Sequence, residues 1–238
     1  MPSHGKRFNT ARQSIDPAAS YLAAEAVAMV KANASAKFDE TVEANFRLGI
    51  DSRHADQNVR GTVSLPHGTG KTIRVAVFAA GDKAKEAEDA GADIIGGKEL
   101  AEAIQAGRDL DFDLTIATPD LMSEVGKVGK ILGPRGLMPN PKAGTVTFDI
   151  AKTVTDFKAG KIEYRNDKAG NVHAIFGKAS FEVDMLIANL AALTDEIVRA
   201  RPPSAKGRFI RNLSISSTMG PGVRVDLSHL DELAKLAH

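Results

Sequence analysis

The run Ile73–Ala79 (IRVAVFA), near the middle of the chain, is almost unbrokenly apolar and rich in β-branched residues. A strand of that kind is buried on both faces, which calls for a parallel sheet with helices above and below it. The sequence that follows supplies the rest of such a layer. Asp82–Ala90 reads as a short helix, Asp93–Ile95 as a strand, Lys98–Ala106 as a helix and Leu114–Ala117 as another apolar strand. Thr118-Pro119-Asp120 then opens a helix with a capping residue and a proline at its first position. Strand and helix in alternation predict a parallel α/β layer. A Gly/Pro-rich stretch, Gly133–Gly144, leads on to Thr145–Phe148 and to a helix ending at Lys158-Ala159-Gly160.

The flanks have a different texture. Thr41–Ile50 alternates Val42, Ala44, Phe46, Leu48 and Ile50 with polar residues, as a half-buried strand does, and Asn58–Leu65 alternates too. Ala18–Asn33, led in by Asp16-Pro17, has helical spacing. Beyond Gly160, Lys161–Arg165 and Val172–Gly177 flank Asp167-Lys168-Ala169-Gly170 and predict a hairpin. Phe181–Arg199 is a long amphipathic helix stopped by Pro202-Pro203. Phe209–Ser217 and Gly222–Leu227 are two more alternating strands, and Leu227–His238, with Leu230, Leu233 and Leu236, reads as a short terminal helix. Pro66–Gly70 and Lys158–Gly160 are the two hinges. The simplest organisation is an outer α+β domain built from residues 1–67 and 160–238, with an α/β domain of residues 68–159 inserted into it.

Net charge is only +1, from 31 Lys and Arg against 30 Asp and Glu, and its distribution says more. Arg199 to Arg224 holds six bases and no acid, and Val125 to Phe148 holds four and no acid. Lys6, Arg7 and Arg12 stand unopposed at the start, while acids gather between Asp82 and Glu124. Basic windows in a neutral chain suit one phosphate-facing side, although solvated faces produce the same pattern. The absence of cysteine excludes disulfides, Cys-ligated zinc or iron–sulfur sites and thiol catalysis. No apolar run approaches a membrane span, and Met-Pro-Ser-His-Gly-Lys-Arg lacks the apolar stretch of a secretory signal, so a cytoplasmic protein is expected.

A search for catalytic chemistry finds a decoy. Gly68-Thr69-Gly70-Lys71-Thr72 looks like a phosphate-binding loop, but Leu65 stands where its first glycine belongs, and a strand follows where a helix is needed. No nucleophile elbow and no zinc-protease motif occurs. The histidines (4, 54, 67, 173, 229, 238) have no ligand spacing, and acid pairs such as Asp39-Glu40 and Asp111/Asp113 sit at element ends, where capping explains them. No catalytic residue, metal site or cofactor is expected. The alternative to a binding protein is a small nucleotide-dependent enzyme that uses the Gly68–Thr72 loop.

Several longer motifs recur in order: Lys37–Glu43 (KFDETVE), Asp56–Thr62 (DQNVRGT), Leu65–Lys71 (LPHGTGK), Ile131–Lys142 (ILGPRGLMPNPK), Arg165–Lys168, Gly177–Phe181 and Ser217–Pro221 (STMGP). Together they resemble the bacterial ribosomal protein L-one family, the protein of the large subunit's mobile side stalk, over nearly all of residues 5–227. The resemblance implies a discontinuous outer domain of split β-α-β type with an inserted Rossmann-like parallel α/β domain. It also implies direct binding to the 23S rRNA stalk region of the large ribosomal subunit, a part in release of exit-site tRNA, and repression of translation through the protein's own-operon mRNA. The protein is expected to be cytoplasmic, on the ribosome, and a monomer when free of it.

By the same resemblance the rRNA and mRNA site is formed by Lys37, Phe38 and Thr41 beside Ser217, Thr218, Met219 and Gly220. Lys37 would offer charge to a phosphate, and Thr41 and Thr218 hydroxyls to the sugar edge. Phe38 and Met219 would pack on ribose or base, although on residue type alone both belong in a core. Gly220 would keep the backbone unobstructed. Arg53, Arg165 and Lys168 are further contacts, and Arg135 and Lys142 on the Gly/Pro loop form a secondary RNA contact. Such a site fits folded RNA, which is read by shape, 2′-hydroxyls and phosphates.

Overall fold

A computed structural model describes residues 5–107 and 109–235 of the protein. The chain opens with α1 (Lys6–Gln13), a polar helix without a buried residue; Ile15, just after it, is the first residue of the core. The next helix, α2, spans Ala23–Asn33 and does not reach back to Ala18. The five residues before it are needed elsewhere. Tyr21 is extended, donating its N–H to the Arg224 carbonyl (3.0 Å) and accepting from Asp226 N–H (2.8 Å). Asp16, which leads into the expected helix, accepts from Ala18 N–H in a local turn (2.9 Å) and lies outside α2. Two strands follow, β1 (Thr41–Leu48) and β2 (Arg60–Ser64).

The middle of the chain forms β3 (Val75–Phe78), α3 (Asp82–Asp89), β4 (Ile94–Gly96), α4 (Lys98–Gln105) and β5 (Leu114–Ala117). A 3-10 turn, Pro119–Leu121, leads into α5 (Met122–Lys127), then α6 (Gly129–Leu132) and α7 (Ile150–Ala159). The strands make a parallel sheet in the order β4-β3-β5. All four residues of β3 are completely buried, and its two faces feed separate cores. Ala76 and Phe78 pack with Leu100, Ile104 and Leu132, while Val75 and Val77 pack with Ala87, Val154 and Phe157. Thr145–Phe148 adds one parallel bridge, Val146 to Ala117.

The chain returns through β6 (Lys161–Arg165), β7 (Asn171–Lys178), α8 (Val183–Arg199), β8 (Ile210–Ser217), β9 (Val223–Val225) and α9 (Leu230–Lys235). Leu236 of the expected terminal helix lies outside the described residues. The expected hairpin between β6 and β7 does not form a ladder. The turn at Asp167–Gly170 is present, but β7 joins a four-stranded antiparallel sheet, β7-β1-β8-β9, and β6 pairs with β2. Asn166 explains the parting: its N–H donates to the Val59 carbonyl (3.0 Å), and its side-chain oxygen accepts from Val59 N–H (2.8 Å). Those two bonds hold the strand to β2, and only an isolated bridge, Asn166 to Val172, remains of the hairpin.

Helices α2 and α8 cover one face of the antiparallel sheet, burying Val42, Ala44 and Phe46 against Leu186, Leu190 and Leu193. Glu43, Asn45, Arg47, His173 and Ser214 line the other, polar face. Contacts divide the chain into two compact units, Met1–Gly70 with Ile162–His238, and Lys71–Lys161. The first is called the outer unit below and the second the inserted unit.

Candidate nucleic-acid interface

The antiparallel pairing of β1 with β8 sets Val42 opposite Ser217, which brings the start of β1 beside the turn after β8. Thr41 N–H donates to Thr218 Oγ1 (3.0 Å), and Thr218 N–H donates to the Thr41 carbonyl (3.0 Å). Lys178 Nζ donates to Thr41 Oγ1 (2.8 Å). Beneath them lies Glu40, 1% exposed. One carboxylate oxygen accepts from Ala36 N–H (2.8 Å) and the other from Met219 N–H (2.9 Å), so a single side chain ties two segments almost 180 residues apart. Burial pushes this carboxyl up. The N–H groups of Met219 and Ala36, with the Arg7 charge, more than offset that and hold it below its ordinary value.

Asp39 fixes the other side of the segment, accepting from Ser180 N–H (3.1 Å) and Ser180 Oγ (2.8 Å). Lys37 and Phe38 therefore project from a short stretch anchored at Ala36, Asp39 and Glu40. Phe38 is 55% exposed and Met219 51%, so the core reading that their residue types favour does not hold. Both large apolar groups stand in water beside a hydrogen-bonded polar framework. Ser217 is buried and sits under the turn. A Cβ at Gly220 would lie 2.5 Å from Ser217 Oγ, so glycine is what lets the turn close over that hydroxyl.

The site residues taken from the resemblance do not form one cluster. Lys37, Phe38, Thr41, Ser217, Thr218, Met219 and Gly220 gather at one end of the antiparallel sheet. Arg53 and Lys168 lie on loops at the opposite end, joined where Ser52 Oγ donates to the Lys168 carbonyl. Arg165, exposed at the end of β6, belongs to the small second sheet. Arg135 and Lys142 are exposed on the inserted unit, where Asn140 caps the turn that carries Lys142 (2.8 Å).

The residue that sequence reasoning missed is Glu40, passed over as half of a capping pair. A signal was present: Glu40 shares the parity of Val42, Ala44, Phe46 and Leu48, which places it on the buried face. The Gly68–Thr72 loop is not a nucleotide cradle. Asn189, fully buried on α8, accepts from His67 N–H (3.0 Å) and donates to the Gly68 carbonyl (2.9 Å), and the first element after the loop is β3. Lys71 pairs with Asp113 (2.6 Å). Among the described residues no group of three His, Asp or Glu could hold a metal, and no helix is long and apolar enough to cross a membrane. His4 and His238 lie outside the described residues.

Comparison with protein-family models matches residues 30–221 to the Ribosomal protein L1p/L10e family. The chain belongs to that family. L1p/L10e members are ribosomal proteins of the large subunit that bind rRNA; theirs is a structural, RNA-binding family and not an enzyme family. The mixed architecture, with a parallel sheet and antiparallel sheets, is consistent with the family fold. The matched span contains the whole hydrogen-bonded cluster around Glu40 and all of the inserted unit. Helices α1 and α9 fall outside it.

Proposed function

We propose that the protein binds the side-stalk region of 23S rRNA through the outer unit, with Lys37, Phe38, Thr41, Thr218, Met219 and Gly220 as the contact surface and Ser217 as its support. The observation that carries this reading is that the buried Glu40 carboxylate ties the backbone at Ala36, two residues before exposed Phe38, to the backbone of exposed Met219, which orders both segments before any ligand arrives. Preorganisation of that kind reduces the ordering cost of binding. The two units act as two domains, the outer one recognising rRNA. Arg135 and Lys142 give the inserted one a secondary RNA contact. The same outer surface takes the own-operon mRNA, which makes the protein a translational repressor, and on the ribosome the protein assists release of exit-site tRNA. It is a cytoplasmic monomer when free of the large subunit.

Filter binding to a 23S rRNA side-stalk fragment at fixed salt tests the site. Thr218→Ala and Met219→Ala are each expected to weaken binding about tenfold, within the range for lost interfacial contacts. Wild-type affinity in both, with the fold intact by circular dichroism, removes the assignment.

A further inference from the structure

The chain has no cysteine, so its six methionines hold all of its sulfur. Where a protein carries thiolates, a peroxide reacts with those first. Here that oxidant meets only thioethers, and which of them it reaches depends on exposure. Met219 is the one exposed methionine among the described residues. Met29 packs against the core of the outer unit, Met122 and Met138 pack against a core of the inserted unit, and Met185 is half-buried on α8. Met1 lies outside the described residues.

The backbone keeps the Met219 sulfur from withdrawing. Three consecutive N–H groups are held: Thr218 N–H donates to the Thr41 carbonyl (3.0 Å), Met219 N–H to a Glu40 carboxylate oxygen (2.9 Å) and Gly220 N–H to the Ser217 carbonyl (3.1 Å). Glu40 is itself buried and accepts from Ala36 N–H on its other oxygen. With the turn fixed, only rotations within the side chain remain, and Met219 is not among the residues that pack against the outer core. The thioether of the free protein therefore stands in water.

We infer that Met219 is an oxidation-sensitive modification site, at which a peroxide converts the thioether to its sulfoxide and weakens RNA binding until the sulfide is restored. A sulfur lone pair attacks one oxygen of hydrogen peroxide. The S–O bond forms, the O–O bond breaks, and the proton of the transferred oxygen passes to the leaving oxygen, which departs as water. Sulfur is oxidised and the peroxide is reduced. The product replaces a flexible apolar surface with a polar, chiral one, which disrupts a contact that packs on ribose or base. The inference rests on the rRNA reading above. RNA that covers the side chain also covers its sulfur, so the free protein is the form that a peroxide disarms.

The test treats the full chain with hydrogen peroxide, locates the added oxygen by peptide mass spectrometry and measures filter binding to the side-stalk fragment at fixed salt. Met219 should be oxidised ahead of Met29, Met122, Met138 and Met185. Affinity should fall in step with it, by about tenfold at completion, as for loss of the side chain. Methionine sulfoxide reductases for both epimers, added together, should restore the affinity. Peroxide should leave Met219→Leu at that variant's own untreated affinity. Oxidation of Met219 no faster than the other four overturns the inference, as does oxidised protein of undiminished affinity or an equal loss in Met219→Leu. Each of those leaves the rRNA reading standing. Stalk fragment bound beforehand should slow the oxidation of Met219, and unslowed oxidation takes the residue out of the contact and overturns the inference with it. Failure of the untreated protein to prefer the stalk fragment over a scrambled RNA overturns the rRNA reading itself.

Discussion

The two units handle their sheets in opposite ways. In the inserted unit three parallel strands are covered on both faces, and β3 has no exposed atom to offer a partner. Its acids serve strand starts. Asp93 accepts from Val75 N–H (2.9 Å) and pairs with Lys158, and Asp113 accepts from Arg74 N–H (3.2 Å) and pairs with Lys71. In the outer unit one face of the sheet is left open, and the buried acid Glu40 orders a surface instead of a core strand. Charge follows the same division: 13 Lys and Arg against 14 Asp and Glu in the inserted unit, 18 against 16 in the outer one. Recognition can be built where a sheet end and its turns stay accessible; a doubly covered sheet confines it to loops.

The sharpest way to break this contrast is at the two kinds of acid. Glu40→Ala leaves two backbone N–H groups without their charged acceptor, at a cost of about 3 kcal/mol. It should also free both Phe38 and Met219, with stalk-rRNA affinity falling more than in either Thr218→Ala or Met219→Ala. Denaturant unfolding and filter binding measure the two losses. Asp113→Ala, whose partner is a half-exposed lysine, should cost about 1 kcal/mol and leave rRNA affinity alone. Equal effects on rRNA binding would erase the distinction.

Acid titration probes the same residue. Glu40 is held below its ordinary value of 4.5, so its contribution is complete above that pH and is lost as pH falls through the lowered value. The difference in Tm between wild type and Glu40→Gln should therefore narrow below about pH 4.5. A difference that widens in acid would mean the carboxyl is protonated in the native protein.

Smaller still is the expected effect of removing the inserted unit. Thr69 is buried, and a Cβ at Gly70 would meet Lys178 and Phe181 at under 3 Å, so both residues belong with the outer unit. Replacing residues 72–159 by a short Gly/Ser linker should leave a folded domain that has lost no more than about threefold in stalk-rRNA affinity. A folded remnant with no preference for the stalk would move recognition to the inserted unit. Least of all should Lys71→Ala matter: its ion pair with Asp113 is half exposed, worth under about 1 kcal/mol. Calorimetric heat with ATP or GTP that vanishes in this variant would revive the nucleotide-loop reading.

The sequence by itself determined the elements whose signal is local. Period-2 alternation placed β1 and β8, the unbroken apolar run placed β3, and helical spacing placed α8, because burial of one face or of both writes itself into residue order. It also carried the family, through motifs such as Lys37–Glu43 and Ser217–Pro221. Only the tertiary structure decided what depends on distant partners. Tyr21 is extended because Arg224 and Asp226 pair with it, and α2 therefore starts late. β6 leaves its hairpin because Val59 is there to receive Asn166. Phe38 and Met219 are in water and Glu40 is not, an inversion that residue type argues against and that three hydrogen-bonded segments impose. Each of these outcomes is fixed by a bond between residues remote in sequence, and a chain read one window at a time holds no record of which residues will meet.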